Sequence, residues 1–152
     1  MRKIKQRITI IVIGVIIVIL DQLSKMLMLN TEITIIPNFL NFTYTQNIGI
    51  AFGIGNNILA ILIINVIILT SILVFLVLKR KKLDNITYAG LILILAGGMS
   101  NMLDRIFNGY VIDFIDVNIF NFPHFNIADI SIVVGIIILF ITIFKSFDEN
   151  NI

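Results

Sequence analysis

Acidic side chains in a strongly apolar chain are the residues best suited to chemistry here. The 152 residues include nine Asp or Glu, and several lie in or beside segments apolar enough to enter a membrane. Ionisable groups at that depth are costly and mark functional sites by default. Asp113 stands out because the surrounding loop has no Lys or Arg that could neutralise it. Asp129 lies three residues after Asn126 at the start of an apolar run, where helix capping is the simpler explanation.

A pair of carboxylates around one water molecule is the sharper interpretation of Asp113 and Asp129. Two like charges a few ångströms apart cannot both ionise, so the pair holds one proton and titrates as a unit. The ionised member can take a proton from water while the protonated member polarises a scissile carbonyl. The two acids therefore predict an aspartyl hydrolase at the membrane surface.

A second set of polar residues has a structural interpretation. Asn101, Asp104 and Arg105 are spaced i, i+3 and i+4, so they share one helix face. Asp21 and Lys25 form another i, i+4 pair. We expect Asp21 or Asp104 to pair with Lys25 or Arg105 in a buried ion-pair network that ties helices together.

Other chemistries find less support in the sequence. The chain has no cysteine, which excludes thiolate catalysis, disulfides and Cys-based zinc sites. His124 with Ser131 or Ser100 lacks a G-x-S-x-G elbow, and the neighbours Ser24 and Lys25 do not face each other on a helix. A Mg²⁺ or Ca²⁺ site built from the outer acids is chemically possible, yet no recognised ligand spacing occurs. We expect no metal or cofactor and no nucleic-acid partner.

The elements that must position these residues are membrane helices. The chain is 59% hydrophobic and only 13% charged, with a mean hydropathy of +1.07. Four apolar stretches approach or reach the roughly 20 residues that cross a hydrocarbon core. The sequence therefore predicts one all-α membrane domain over residues 1–152, with four transmembrane helices at about 8–29, 58–78, 86–106 and 127–144.

Charge predicts the orientation of the four spans. Basic residues precede the first helix, follow the fourth at Lys145, and occupy positions 79–82 between the second and third. The connections 30–57 and 107–126 contain no Lys or Arg. The positive-inside rule then places both termini in the cytoplasm and both longer loops outside. The basic run at 79–82 is also suited to contact anionic membrane lipids.

The basic N-terminus followed by an apolar run also resembles a cleavable secretory signal. No small-residue cleavage site follows, and the helical pattern continues past Lys25, so we favour a retained helix.

The outer loops carry a strand signal. Leu40, Phe42 and Tyr44 alternate with polar residues, the period of a half-buried strand. The second loop is rich in aromatic residues, which suit a membrane–water interface. We expect a small strand-containing platform on the outer leaflet.

Taken together, the motifs resemble the bacterial lipoprotein signal peptidases (signal peptidase II) from one end of the chain to the other. Five blocks occur in the family's order. They are Asp21-Gln22-Leu23-Ser24-Lys25, Thr43-x-x-x-Asn47-x-Gly49-x-Ala51-Phe52, Gly97-Gly98-x-x-Asn101-x-x-Asp104-Arg105, Val111-x-Asp113-Phe114, and Phe122-Pro123-x-Phe125-Asn126-x-Ala128-Asp129. Small departures occur at Ile50 and Gly53, where alanine and serine are common in the family.

The resemblance implies roles for these positions. Asp113 and Asp129 would be the catalytic aspartates. The other implied site residues shape the site, position substrate or support it: Asn47, Gly49, Asn101, Arg105, Asn126, Asp21, Lys25 and Asp104.

The resemblance also implies the reaction and its setting. The substrate would be a prolipoprotein whose lipobox cysteine carries a diacylglyceryl group, cleaved just before that cysteine. A monomeric, multi-pass enzyme of the bacterial cytoplasmic membrane is implied, with its active site at the extracytoplasmic face. No metal or organic cofactor is implied, and globomycin-type inhibitors are expected to block the site.

Two other classes of protein remain open on the residues alone. A small transporter or proton-relay protein could use the same acids, although the second helix offers only Asn65, Thr70 and Ser71 to continue a relay inward. A structural membrane subunit could pair its acids with partner proteins. In that case Asp→Asn changes at positions 113 and 129 would reduce assembly and not turnover.

Overall fold

The computed structural model describes residues 2–49, 57–120 and 122–149, with side chains described as far as Lys145. The four predicted transmembrane helices are confirmed. The helices are α1 (Arg2–Leu27), α2 (Ile58–Lys79), α3 (Asn85–Asn108) and α4 (Ile127–Glu149), and the strands are β1 (Glu32–Ile36), β2 (Leu40–Asn47) and β3 (Val111–Val117). Four residues singled out in the sequence lie outside the described ranges: Ile50, Ala51, Phe52 and Gly53.

Local sequence explains where the helices begin and end. Helix α2 starts after Asn57, whose side chain accepts a hydrogen bond from the Ala60 N–H at 3.1 Å. Helix α3 is capped in the same way by Asp84. It ends at Gly109, whose φ of 79° is readily adopted by glycine. Helix α1 begins earlier than predicted, at Arg2, because Lys, Arg and Gln are good helix formers.

Helix α3 is the centre of the bundle and contacts each of the other three helices. It approaches α4 closely at Gly97, where any Cβ would clash with the Ala128 carbonyl oxygen. Small residues allow such close packing of membrane helices. Among the described residues, α2 packs against α3 but does not pack against α4. A groove therefore stays open between α2 and α4.

The strands form one antiparallel sheet in the order β1-β2-β3. The strand predicted from Leu40 onward is confirmed as β2. Thr45 pairs with Asp113 across β2 and β3, so Asp113 lies in a strand and not in an irregular loop. Phe125 bonds to the other edge of β3 at Ile115. The sheet thereby holds the segment that leads into α4.

Candidate active site

Asp113 is buried in β3 with only 2% of its surface exposed. Its two carboxylate oxygens accept hydrogen bonds from the Asn47 Nδ2 at 2.9 Å and the Asn126 Nδ2 at 2.7 Å. Burial, together with the negative charge of Asp129, raises the pKa of Asp113 to about 6, although the two amide donors act in the opposite direction. The carboxyl therefore holds its proton at a higher pH than an exposed aspartate does.

Asp129 lies in the first turn of α4 and takes part in a reciprocal cap. The Asp129 N–H donates to the Asn126 Oδ1 at 2.9 Å, and the Asn126 N–H donates to the Asp129 Oδ2 at 3.2 Å. The expected capping role is thus confirmed. The remaining oxygen, Oδ1, accepts a hydrogen bond from the Asn101 Nδ2 at 2.7 Å and stays beside a cavity. Asp129 can therefore cap α4 and still present a carboxylate oxygen to the site.

Asn126 joins the two carboxylates. Its buried amide contacts Asp113 through Nδ2 and the Asp129 backbone through Oδ1. The same Nδ2 also lies 3.2 Å from the Asn101 Oδ1 and 3.3 Å from the Ile112 carbonyl oxygen. Asn126 therefore binds the strand carboxylate through its side chain and the helix carboxylate through its backbone N–H.

A buried ion-pair network lies directly behind this site. The Lys25 Nζ is 2.6 Å from the Asp21 Oδ2 and 2.8 Å from the Asp104 Oδ2. It also donates to the Asn101 Oδ1 at 2.9 Å. The predicted network between helices is confirmed, with Lys25 as its cation. Arg105 instead donates to the Gly49 carbonyl oxygen at 2.9 Å and so anchors the segment that follows β2.

Two residues of this network were not predicted from sequence. The Gln22 Nε2 donates to the Asp104 Oδ1 at 2.9 Å and to the Ser100 Oγ at 3.0 Å. The Ser100 Oγ donates to the Asp21 Oδ2 at 2.7 Å, and the Asp21 Oδ1 accepts from the Ala128 N–H at 2.8 Å. Asp21 of α1 therefore also caps α4. The available signal was Gln22 itself, a polar residue beside Asp21 in an apolar helix.

Two adjoining cavities reach the carboxylates. The larger has a volume of about 530 Å³ and extends along α2, α3 and α4 past Asn65, Gly98 and Val133 to Asp129. The smaller, of about 250 Å³, lies against the sheet and reaches Asp113. Both are lined by Asn47, Pro123 and His124. The two cavities therefore adjoin at these three residues, and one acid lines each of them.

The serine and histidine side chains are engaged elsewhere. The Ser131 Oγ donates to the Leu93 carbonyl oxygen at 2.8 Å, and Ser100 is bonded to Asp21. The two ring nitrogens of His124 contact Thr45 and Asp116. In the described part of the chain, this arrangement does not form a Ser–His pair.

The buried polar side chains gather at the sheet end of the bundle. Those of the described residues are Asp21, Lys25, Ser100, Asn101, Asp104, Arg105, Asp113, Asn126 and Ser131. The buried side chains of α2 are all apolar. This one-sided distribution does not favour a relay that crosses the membrane.

The fold and the site define a polytopic membrane enzyme with a carboxylate site at one end of its bundle. Residues 13–145 match the sequence profile of the family described as signal peptidase (SPase) II, and the chain belongs to that family. It is 38% identical to the lipoprotein signal peptidase of Staphylococcus aureus (strain JH9) over 94% of this chain and 91% of that one. It is 36% identical to that of Staphylococcus haemolyticus (strain JCSC1435), over 93% and 92% of the two chains.

Two solved bacterial membrane enzymes share the fold. One, solved by the in meso method at 2.3 Å, superimposes with a TM-score of 0.85 at 35% identity and covers 93% of this chain and 90% of its own. Another, solved at 1.9 Å, gives 0.81 at 37% identity, over 90% and 93%. The chain is thus a multi-pass bacterial membrane peptidase of the kind that removes signal peptides from prolipoproteins.

Proposed function

We propose that the protein is an aspartyl endopeptidase that cleaves diacylglyceryl-modified prolipoproteins just before the lipidated cysteine of the lipobox. Asp113 and Asp129 are the catalytic pair. The observation that carries this proposal is the shared amide of Asn126, which contacts the Asp113 carboxylate and caps the turn that carries Asp129. Two acids that are distant in sequence are thereby held at one place beside two open cavities.

The proposed reaction needs one water and one shared proton. The ionised carboxylate takes a proton from water as the water oxygen attacks the scissile carbonyl carbon. The protonated carboxyl gives its proton to the carbonyl oxygen, which forms a tetrahedral diol. When the C–N bond breaks, one carboxyl gives a proton to the leaving nitrogen of the cysteine, and the other carboxylate takes a proton from a diol hydroxyl, so the pair again holds one proton. The products are the signal peptide with a new carboxyl end and the lipoprotein with a free amine.

The surroundings of the pair support this chemistry. Because burial and the nearby Asp129 charge raise the pKa of Asp113 to about 6, the pair keeps a shared proton up to a higher pH than two exposed aspartates would. The Asn47 and Asn101 amides each bind one carboxylate oxygen, which preorganises the acids for transfer. Arg105 and Lys25 are positioning residues in this proposal, since they act through Gly49 and Asn101.

The groove between α2 and α4 suits a lipidated signal peptide. It is lined by apolar residues of membrane-spanning helices and opens at the carboxylates. A substrate that is itself a membrane helix can reach such a groove sideways through lipid. Globomycin-type inhibitors would occupy the same space. The two acids and their amide partners all come from one chain, which is sufficient for a monomeric enzyme.

The orientation completes the proposal. At the end of the bundle opposite the site, the Arg7 guanidinium donates to the carbonyl oxygens of Arg80 and Leu83. This contact brings the basic N-terminus beside the basic run at 79–82. The positive-inside rule favours a cytoplasmic position for such a cluster, so the sheet and the acids would face the extracytoplasmic side of the cytoplasmic membrane.

The test is cleavage of a diacylglyceryl-modified prolipoprotein by purified protein in detergent. Asp113→Asn and Asp129→Asn should each lower kcat by at least about 100-fold, the scale of a lost acid–base group. Glu32→Gln, an exposed acid on β1, is the matched control and should keep wild-type turnover. A folded Asp113→Asn or Asp129→Asn protein with near wild-type kcat would overturn the aspartyl mechanism.

A further inference from the structure

The 250 Å³ cavity beside Asp113 is lined by the sheet and the segment before α4, whereas the larger cavity is lined mainly by helices. The smaller cavity is lined by Thr45 and Gln46 near the end of β2 and by Pro123 and His124 in the segment before α4. Asp129 borders the larger cavity, whereas Asp113 borders this smaller one. A peptide bond held between the two acids would therefore have one side in each cavity.

We propose that this smaller cavity binds the first residues of the mature lipoprotein, immediately after the lipidated cysteine, and selects against acidic side chains there. The proposal rests on the proposed function, since it assumes a scissile bond between Asp113 and Asp129. The larger cavity is bordered by membrane-spanning helices and matches the apolar signal peptide. The cavity on the sheet side is left for the part of the substrate that leaves the membrane.

His124 forms a fixed wall of this subsite. Its Nδ1 lies 2.8 Å from the Thr45 Oγ1 and its Nε2 lies 3.3 Å from the Asp116 Oδ1. Asn41 holds the other Asp116 oxygen at 3.0 Å. Since both ring nitrogens are engaged, the imidazole is held in place and shapes the cavity.

The charged side chains around this cavity are mainly acidic. Among the residues that the structure describes, the titratable groups that line the cavity or face His124 are, besides His124 itself, Asp113 and Asp116, both on β3. No Lys or Arg lines it in the described ranges, and the connections 30–57 and 107–126 contain neither residue in sequence. An acidic substrate residue would meet the negative charge of the Asp113–Asp129 pair and of Asp116, and a neutral or basic residue would meet no such repulsion. The nearest cations do not line this cavity: Lys25 is paired with Asp21 and Asp104, and Arg105 lines the larger cavity.

Three diacylglyceryl-modified peptides that differ only in the residue after the cysteine test this subsite. The wild-type protein should cleave the Ser and Lys peptides with a kcat/KM about two- to fivefold above that of the Glu peptide, the range of a partly exposed charge interaction. Gln46 is exposed at the cavity wall, so Gln46→Lys should remove or reverse this order. Thr34→Lys adds the same charge at an exposed position of β1 that does not line either cavity, and should keep the wild-type order.

The outcomes separate the subsite from the activity on which it rests. If the wild-type and Gln46→Lys proteins cleave all three peptides with equal kcat/KM, the subsite is wrong and the peptidase activity stands. If Gln46→Lys and Thr34→Lys change the order equally, the effect is long-range and the subsite is also wrong. If the wild-type protein cleaves none of the peptides, the proposed function itself fails.

Discussion

The Lys25 ammonium contacts the Asn101 side-chain oxygen at 2.9 Å and thereby fixes which way that amide points. An ammonium has no acceptor, so Asn101 must present Oδ1 to Lys25 and Nδ2 to the other side. That Nδ2 donates to the Asp129 Oδ1 at 2.7 Å. A residue of α1 therefore sets the hydrogen bond that one of the two proposed catalytic acids receives.

Replacement of Lys25 should strongly destabilise the fold. Lys25→Met leaves Asp21 and Asp104 buried without their cation, which costs about 3–5 kcal/mol when one partner of a buried pair is removed. Thermal unfolding in detergent should show a large fall in Tm. Lys5→Met, at an exposed position of the same helix, should change stability by no more than about 0.5 kcal/mol. Equal Tm values for the two variants would contradict this account of the network.

Loss of the Asn126 amide should lower activity more than stability. Asn126→Ala removes the donor to Asp113 and one half of the cap that holds Asp129, so we expect kcat to fall by about 100-fold, as misplaced reacting groups do. The lost cap should cost about 1 kcal/mol of stability. Turnover and Tm are both measured on the purified variant.

Asn57→Ala is the matched control for this effect. It removes the same kind of cap from α2, where the Asn57 side chain accepts from the Ala60 N–H, and Asn57 lines neither cavity. Its kcat should stay near wild type. A similar loss of turnover in both variants would mean that general destabilisation, and not placement of the acids, explains the effect of Asn126→Ala.

The raised pKa of Asp113 predicts a pH dependence of stability. Its pKa is about 6 in the folded protein and near its ordinary value of 3.8 when unfolded, so the folded state binds more protons between these values. The free energy of unfolding should therefore decrease as pH rises through this window, with the full penalty present above about pH 6. Tm measured from pH 4 to 7.5 should have a less negative slope in Asp113→Asn. An unchanged slope would show that Asp113 is not the group responsible.

Close packing at Gly97 should make it intolerant of a methyl group. Gly97→Ala sets Cβ against the Ala128 carbonyl oxygen, a backbone atom in the first turn of α4, so the turn that carries Asp129 must move. We expect a loss of about 1–3 kcal/mol, as for other overpacked sites, with a fall in kcat.

Gly14→Ala provides the comparison for Gly97→Ala. At Gly14 the nearest atom to an added Cβ is the Ile92 Cγ2, a side-chain methyl group and not a backbone atom. Gly14→Ala should lower the free energy of unfolding by less than Gly97→Ala does, and it should leave kcat unchanged. If Gly14→Ala proves as damaging as Gly97→Ala in Tm and kcat, backbone contact is not the reason.

The sequence by itself determined the features that depend on neighbours along the chain. Length and hydropathy predicted four membrane helices, and period-2 alternation predicted β2. The three-residue spacing of Asn126 and Asp129 predicted the cap, and the four-residue spacing of Asp21 and Lys25 predicted their ion pair. These features follow from local geometry, which fixes residues three or four apart on a helix face or two apart on a strand.

Tertiary structure alone decided which distant residues meet. Three hydrogen-bonded pairs of the site are far apart in sequence: Asn47 and Asp113 by 66 residues, Lys25 and Asn101 by 76, and Asp21 and Ser100 by 79. Arg105 was expected to pair with an acid, but it binds the Gly49 carbonyl oxygen. The choice among such partners depends on how closely α3 approaches its neighbours and how the sheet closes over the bundle. A periodic pattern records which face of a helix is buried, but it does not record what lies opposite that face.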